Sequence, residues 1–87
     1  KLPVPPPTQE RRKELVKVAH DYAERARTAV RNVRREANDE LKQMEKGKSI
    51  SEDEMRRGLD EVQKLTDEHV EEISKTVAAR EKEILEV

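Results

Sequence analysis

Four arginines fall within nine residues of this chain, in the segment Arg27–Arg35, whose sequence is RTAVRNVRR. Guanidinium groups donate paired hydrogen bonds to phosphate oxygens, so a cluster of arginines on one surface is suited to binding a polyanion. On a helix with 100° per residue, an arc of about 100° gathers seven cations and only two acids, Glu24 and Glu45. The seven cations are Lys13, Lys17, Arg27, Arg31, Arg34, Arg35 and Lys42. A face that serves solubility alone mixes its signs, so this separation favours a polyanion lying along one side of the helix.

A long helix must hold these cations in line, and the apolar pattern predicts one. Apolar residues recur at steps of three and four, the period of an α-helix, from the start of the segment to its end. The narrow stripe that they form is predicted to face the core, and it contains Leu15, Ala19, Tyr22, Ala26, Val33, Ala37 and Met44. Thr8 is placed to cap the helix and Gly47 to end it, so a helix is predicted over about residues 9–46.

The second helix has the clearest local signal in the chain. Ser51 and Glu54 have the spacing of a capping box, and Ile50 and Met55 have the spacing of a hydrophobic staple. A turn over residues 47–51 and a helix over about residues 52–85 are therefore predicted. The apolar seam predicted for this helix is Met55, Leu59, Val62, Thr66 or Leu65, His69 or Val70, Ile73, Val77, Arg80 and Ile84. The fold class is all-α, with two long antiparallel helices in a hairpin.

Composition bounds the function. The 87 residues are 45% charged, with one Tyr, no Phe or Trp and no Cys, so thiolate chemistry and a disulfide framework are excluded. No apolar run is long enough to span a membrane. Residues 1–50 carry 13 Lys and Arg against 8 Asp and Glu, a net charge of +5, and residues 51–87 carry 6 against 12, a net charge of −6. The overall charge of −1 therefore hides a basic half and an acidic half.

A two-helix hairpin of this length leaves apolar surface uncovered. Each predicted helix has an apolar arc wide enough for two neighbouring helices rather than one. The residues toward the edges of these arcs are Val16, Val18, Leu41, Ile73 and Leu85. Either the chain associates with a second chain, or another helix of the parent protein covers the stripe.

The first seven residues are rich in proline and cannot begin a helix. They contain Pro3, Pro5, Pro6 and Pro7. Proline-rich segments are extended and semi-rigid, so residues 1–7 are predicted to be a hinge or linker that sets the angle of a rod formed by residues 8–87.

No arrangement of residues points to catalysis. The serines lack a base at the spacing of an activated nucleophile, and no glycine-rich phosphate loop occurs. His20 and Glu24 are one turn apart, but a metal site needs a second pair at metal spacing. The sequence therefore predicts no catalytic residue, no metal site and no cofactor, and it favours a binding protein over an enzyme.

Four motifs together resemble a known family. They are PPPTQERRKEL at residues 5–15, RNVRREAN at residues 31–38, ISEDE at residues 50–54 and VQKLTD at residues 62–67. In this order and spacing they resemble the C-terminal part of the ribosome recycling factor family. That family's helical rod is a three-helix bundle, whose first helix is N-terminal and is followed by an inserted β-rich domain. The resemblance covers the second and third helices only, so the missing first helix or a second chain is expected on the bare stripe.

The resemblance implies a translation factor. Members of the family bind the RNA of the large ribosomal subunit in a 70S-type ribosome, at the subunit interface. With elongation factor G and GTP they split post-termination ribosomes, in the cytoplasm or in the stroma or matrix of an organelle. The family's RNA-contacting arginines match Arg12, Arg31 and Arg34. Two of these three lie within or on the border of the basic arc, and Arg12 is assigned on the resemblance alone.

A different class of function stays open on the residues themselves. The chain could be a helical hairpin that self-associates as a scaffold, with charges that serve pairing and solubility and with no RNA role.

Overall fold

The computed structural model describes residues 8–86, which form two long α-helices joined by a short turn. Helix α1 is Gln9–Lys46, with 38 residues, and helix α2 is Glu52–Glu86, with 35 residues. They run antiparallel as a rod with extents of 70 × 21 × 15 Å. The described part contains no strand, and the all-α hairpin predicted from the sequence is confirmed. The predicted proline hinge, residues 1–7, lies outside the described residues.

Helix α1 begins at the predicted cap. Thr8 has an extended backbone, and its Oγ1 accepts a hydrogen bond of 3.1 Å from the backbone N–H of Arg11. This contact satisfies one of the N–H groups that the first turn of a helix leaves without a partner. Glu10 adds a negative charge at the positive end of the helix dipole.

The end of α1 differs in one detail from the sequence expectation. The helix stops at Gly47, as predicted, but the residue with positive φ is Lys48, at φ 59°. The N–H of Lys48 donates to the carbonyl of Glu45, and the N–H of Ser49 donates to that of Met44, each at 2.9 Å. These two bonds are those of a Schellman motif, which places its left-handed residue one position past the cap. A lysine therefore occupies the conformation that glycine adopts most readily.

The capping box predicted at the start of α2 is confirmed. The backbone N–H of Glu54 donates to Ser51 Oγ, and the backbone N–H of Ser51 donates to Glu54 Oε1, both at 3.1 Å. Two hydrogen bonds with Ser51 hold the pKa of the Glu54 carboxyl below its usual value. The bond from the Ser51 backbone has the larger effect, and the bond with the Ser51 hydroxyl has the second largest. Desolvation opposes this shift, and the nearby charge of Arg57 acts, less strongly, in the same direction as the two bonds.

Small residues form the seam between the helices. Ala23, Val77 and Thr66 are the most buried side chains, at 6 to 7% exposure. The Thr66 hydroxyl donates to the carbonyl of Val62 at 2.7 Å, so this buried polar group is satisfied within its own helix. Because the seam is narrow, the two backbones approach closely and little large apolar surface is buried between them.

The apolar stripe of α1 does not face α2. Leu15, Tyr22, Val33 and Met44 are 39 to 65% exposed, although all four lie in the stripe that the sequence marks as core. The interpretation of Tyr22 as a core residue is wrong for this hairpin, because α2 packs on the side of Ala23, about 100° farther round the helix. The stripe is left open, in agreement with the prediction that the arc serves two neighbours.

The seam of α2 resolves two alternatives left open by the sequence. Thr66 is buried while Leu65 is half exposed, and Val70 is half-buried while His69 is exposed. Arg80, which was predicted to lie on the seam, is exposed, and its neighbour Glu81 is half-buried instead. The seam of α2 thus repeats every eleven residues, as at Met55, Thr66 and Val77, rather than every seven, so after Val77 it reaches Glu81 and passes Arg80 by.

Gly58 of α2 lies against Leu41 of α1, near the turn. A Cβ atom at Gly58 would lie 3.0 Å from one methyl of Leu41 and 3.1 Å from the other. The glycine therefore makes room for the Leu41 side chain. This contact explains why a glycine, which is less favourable than alanine in a helix by about 1 kcal/mol, occurs at this position.

We expect Lys48→Gly to raise the free energy of unfolding by about 0.5–1 kcal/mol, because an L-residue in the left-handed region is strained by about 1–2 kcal/mol and glycine is not. Urea denaturation followed by circular dichroism measures the change. The matched control is Lys42→Gly, in the exposed interior of α1, which should lower stability by about 1 kcal/mol. A Lys48→Gly chain that is less stable than the wild type would contradict the strain.

The Glu54 carboxyl should titrate at a lower pH than the carboxyl of an unstructured glutamate, and Ser51→Ala should raise the midpoint of its titration. Because the folded pKa is lowered, the contribution of ionised Glu54 to stability is present above the unfolded pKa and is lost as the pH falls through the folded pKa. Carbon-detected NMR titration measures the midpoint. Glu54→Gln keeps the acceptor of the box and should remove this part of the acid dependence. A midpoint at or above the usual value contradicts the assignment.

Candidate nucleic-acid interface

The seven cations of the arc lie along one flank of the hairpin, where one edge of α1 meets α2. This surface, termed the basic flank, consists of Lys13, Lys17, Arg27, Arg31, Arg34, Arg35 and Lys42. Two contacts across the helices lie on it and fix the register, Arg27 with Ser74 and His20 with Glu81. Arg27 follows His20 by seven residues and Ser74 precedes Glu81 by seven, which is one heptad of an antiparallel pair.

Arg27 is the most firmly held of the cations. Its Nη2 donates to Ser74 Oγ at 3.1 Å and its Nη1 donates to Glu24 Oε2 at 3.0 Å. Its side chain is only 19% exposed. The structure therefore gives this arginine, predicted from the sequence to bind RNA, a contact between the two helices.

Arg31 lies one turn beyond Arg27 and is held more loosely. Its Nη1 is 3.8 Å from Glu24 Oε1, too long for a hydrogen bond, and its side chain is 43% exposed. One carboxylate thus reaches two arginines, with a short bond to the first and a long ionic contact to the second. The guanidinium of Arg31 keeps donors that an external anion can reach.

Arg34 and Arg35 continue the cluster. Arg34 is half-buried beside the seam, and Arg35 is exposed, with Nη1 donating to Asn32 Oδ1 at 3.4 Å. Neither is among the ion pairs of the described residues. Together with Arg31, they bring three guanidinium groups onto little more than one turn of helix, a rise of about 6 Å.

The other predicted cations are spread along the rod. Lys13, Lys17 and Lys42 are exposed, and the rise from the first to the last is about 44 Å on a helix. Arg12 is half-buried near the start of α1, and its Nε is buried with no hydrogen-bond partner among the described residues. The structure therefore groups the four arginines at 27–35 and leaves the lysines and Arg12 apart from them.

His20 pairs across the helices rather than along its own. Its Nε2 lies 3.4 Å from Glu81 Oε2, and both side chains are partly exposed, at 48% and 38%. Glu24, one turn on from His20, is engaged by Arg27 instead. Within residues 8–86 no three His, Asp or Glu side chains are arranged to hold a metal ion.

Sequence reasoning missed the partners of the arginines. The spacing of Glu24 and Arg27, three residues apart on one helix, is a recognised signal for an ion pair and could have been used. Ser74 and Glu81 carried no such signal, because their contacts depend on the register between the helices.

The opposite side of the hairpin is an open apolar groove. The larger of two parts, of about 540 Å³, has a floor that includes Ala19, Ala23 and Ala26, with Tyr22 and Arg80 at its sides. A second part of about 350 Å³, nearer the turn, is lined by residues that include Met44 and Leu65. Neither of the described helices has the run of uncharged, apolar sequence that a membrane crossing requires.

Comparison with known proteins confirms the resemblance seen in the motifs. The sequence model of the ribosome recycling factor family matches residues 1–85. The ribosome-recycling factors of Oleidesulfovibrio alaskensis, Cupriavidus metallidurans and Thioalkalivibrio sulfidiphilus are 60%, 59% and 56% identical to the chain over 87 residues. Each alignment covers all of this chain and 47% of the relative, so the chain spans about half the length of the curated relatives it matches. With nearly its whole length matched at this identity, the chain belongs to the ribosome recycling factor family.

Proposed function

We propose that the chain is the ribosome-binding rod of a translation factor that recycles ribosomes after termination. Its basic flank binds the RNA of the large ribosomal subunit at the subunit interface of a 70S-type ribosome. With elongation factor G and GTP, the whole protein splits the post-termination ribosome. The observation that carries this proposal is the family match over residues 1–85.

The chemistry of the basic flank supports binding to RNA rather than catalysis. Guanidinium groups of Arg31, Arg34 and Arg35 fork onto phosphate oxygens, and Lys13, Lys17 and Lys42 extend the positive field along the rod. Hydrolysis of GTP is assigned to the partner, so that this factor binds and transmits force without being an enzyme.

The flank is suited to folded RNA. The chain has one aromatic residue, Tyr22, and it lies on the groove side, so stacking of single-stranded bases is not part of the proposal. Cations fixed along a stiff helix read the shape and the backbone of a folded RNA. The acidic half of the chain, with a net charge of −6 over residues 51–87, repels phosphate and so orients the rod with α1 toward the RNA.

The apolar groove is proposed to hold a helix from the N-terminal half of the protein. The curated relatives are about twice as long as this chain, so they contain a segment that can supply it. The two parts of the groove extend from Ala19 to Met44 on α1, a rise of about 37 Å, which a helix of about 25 residues covers. The alanines of the floor leave space for large side chains on that helix.

The organisation of the chain follows from this assembly. Residues 1–7 form a proline hinge between the rod and the rest of the protein, and residues 8–87 form two of the three helices of the bundle. The protein works in association with ribosomes, in the cytoplasm or in an organelle.

Replacing Arg31 and Arg34 together by Glu should weaken binding to large ribosomal subunits by at least about 100-fold at 0.15 M salt, because two phosphate contacts become repulsive. The slope of log K against log salt should become shallower by roughly 0.7 to 0.9 for each lost contact. Filter binding over a salt series measures both quantities.

The control is Arg25→Glu, which makes one such Arg-to-Glu change on the same helix, half of the charge change in the double variant. Arg25 lies beside the Tyr22 ring, at 5.9 Å from its centroid, away from the basic flank. Equal affinities for the wild type and the Arg31/Arg34 double variant would favour the self-associating scaffold over the RNA-binding rod.

Val33→Asp should weaken the binding of the N-terminal segment by at least about tenfold, because it places a charge on apolar surface that the partner helix covers. Val33 is 64% exposed, so the hairpin itself should keep its helix content. Isothermal titration calorimetry with the N-terminal segment measures the affinity, and Thr28→Asp, an exposed site on another face of α1, is the control. Sedimentation equilibrium measures whether the chain dimerises. A chain that dimerises through the groove and does not bind the N-terminal segment would contradict the proposed occupant.

A further inference from the structure

Glu24 is the acidic residue at the centre of the basic flank. Its Oε2 accepts from Arg27 Nη1 at 3.0 Å, and its Oε1 lies 3.8 Å from Arg31 Nη1. The carboxylate therefore stands between two guanidinium groups, in the position that a phosphate bridging the two arginines takes. Its side chain is 63% exposed, so an anion from solution can reach the same donors.

Arg27 keeps this carboxylate in place. Its second guanidinium nitrogen is bonded to Ser74 of the other helix at 3.1 Å, and the side chain is 19% exposed. Because both terminal nitrogens of its guanidinium group are bonded, Arg27 moves little. The Glu24 carboxylate that is bonded to it is therefore also held in place. The pairing of Arg27 with α2 thus fixes where Glu24 can be, and through it the approach to Arg31.

The two ends of the carboxylate are bound with unequal strength. The short contact to Arg27 is a charge-assisted hydrogen bond, whereas the contact to Arg31 is beyond hydrogen-bond length. An incoming phosphate therefore competes with Glu24 at Arg31 first. Arg34 and Arg35 have no acid paired with them among the described residues, so the competition applies to one position of the cluster.

We propose that Glu24 is a specificity-determining residue that occupies the phosphate position at Arg31 until a folded RNA displaces it. The proposal rests on the RNA-binding function proposed above. A polyanion that meets the flank through one or two phosphates must compete with an acid already held there. An RNA whose phosphates also engage Arg34, Arg35 and the lysines displaces the acid, because those contacts form at the same time. Glu24 thus lowers the affinity for arbitrary RNA more than that for the large subunit.

The test compares Glu24→Gln with the wild-type chain in binding to a 12-base-pair RNA duplex of arbitrary sequence and to large ribosomal subunits. We expect the variant to bind the duplex about three- to tenfold more tightly, because one repulsive charge at about 4 Å is removed. The slope against log salt should steepen by roughly 0.7 to 0.9, since one more phosphate contact forms. The gain for large subunits should be smaller, so the ratio of the two affinities falls.

Two further variants separate this role from a general charge effect. Glu83→Gln removes the same charge at an exposed residue whose ion pair, 3.5 Å from Arg80, lies on the groove side of the hairpin and away from the basic flank. It should leave duplex binding unchanged. In an Arg31→Gln background, Glu24→Gln should give no gain, because the donor that the acid occupies is gone. Circular dichroism checks that all variants keep the wild-type helix content.

Three results overturn the proposal. One is a Glu24→Gln chain that binds the duplex no more tightly than the wild type. Another is a gain that persists in the Arg31→Gln background or that Glu83→Gln reproduces. The third is that neither the wild type nor any variant binds RNA or large subunits. This result overturns the proposed function as well. The wild-type measurement distinguishes it from the first two results.

Discussion

The close packing of the two helices at Ala23, Thr66 and Val77 determines where every other side chain of the hairpin lies. Side chains this small bring the backbones together at one line on each helix. With that line and the register between the helices fixed, the arginines fall on one edge of the contact and the large apolar residues on the other. The separation of a basic flank from an apolar groove is therefore a consequence of helix packing. A rotation of α1 against α2 would move both surfaces together.

Local signals in the sequence were sufficient for the helices and their ends. Thr8, Gly47 and the Ser51–Glu54 box each act through backbone groups within four residues, so their effect does not depend on the rest of the fold. The choice of face could not be predicted in the same way. A helical wheel gives the angle between Tyr22 and Ala23 but does not say which of them meets the neighbour when the apolar arc is wide enough for two.

The candidate site shows the same division between local and distant information. The grouping of Arg27, Arg31, Arg34 and Arg35 follows from spacing on one helix and was predicted. The differences among these arginines were not, because Arg27 is set apart by Ser74, which is 47 residues away in the chain. The acid at Glu24 was visible in the sequence as an exception within the arc. Its significance depends on Arg27 being anchored, and that requires the register of α2.

The two surfaces also explain why a third helix is proposed to cover this hairpin. For Arg27 to reach Ser74, α2 must lie toward the basic edge of α1, and this position leaves Leu15, Tyr22, Val33 and Met44 open. Moving α2 round α1 toward those residues would bury more apolar area. It would also break the contact between Arg27 and Ser74 and would shift the acidic residues of α2. Two helices cannot satisfy both demands at once. A separate helix in the groove satisfies the apolar demand and leaves the arginines where the first contact holds them.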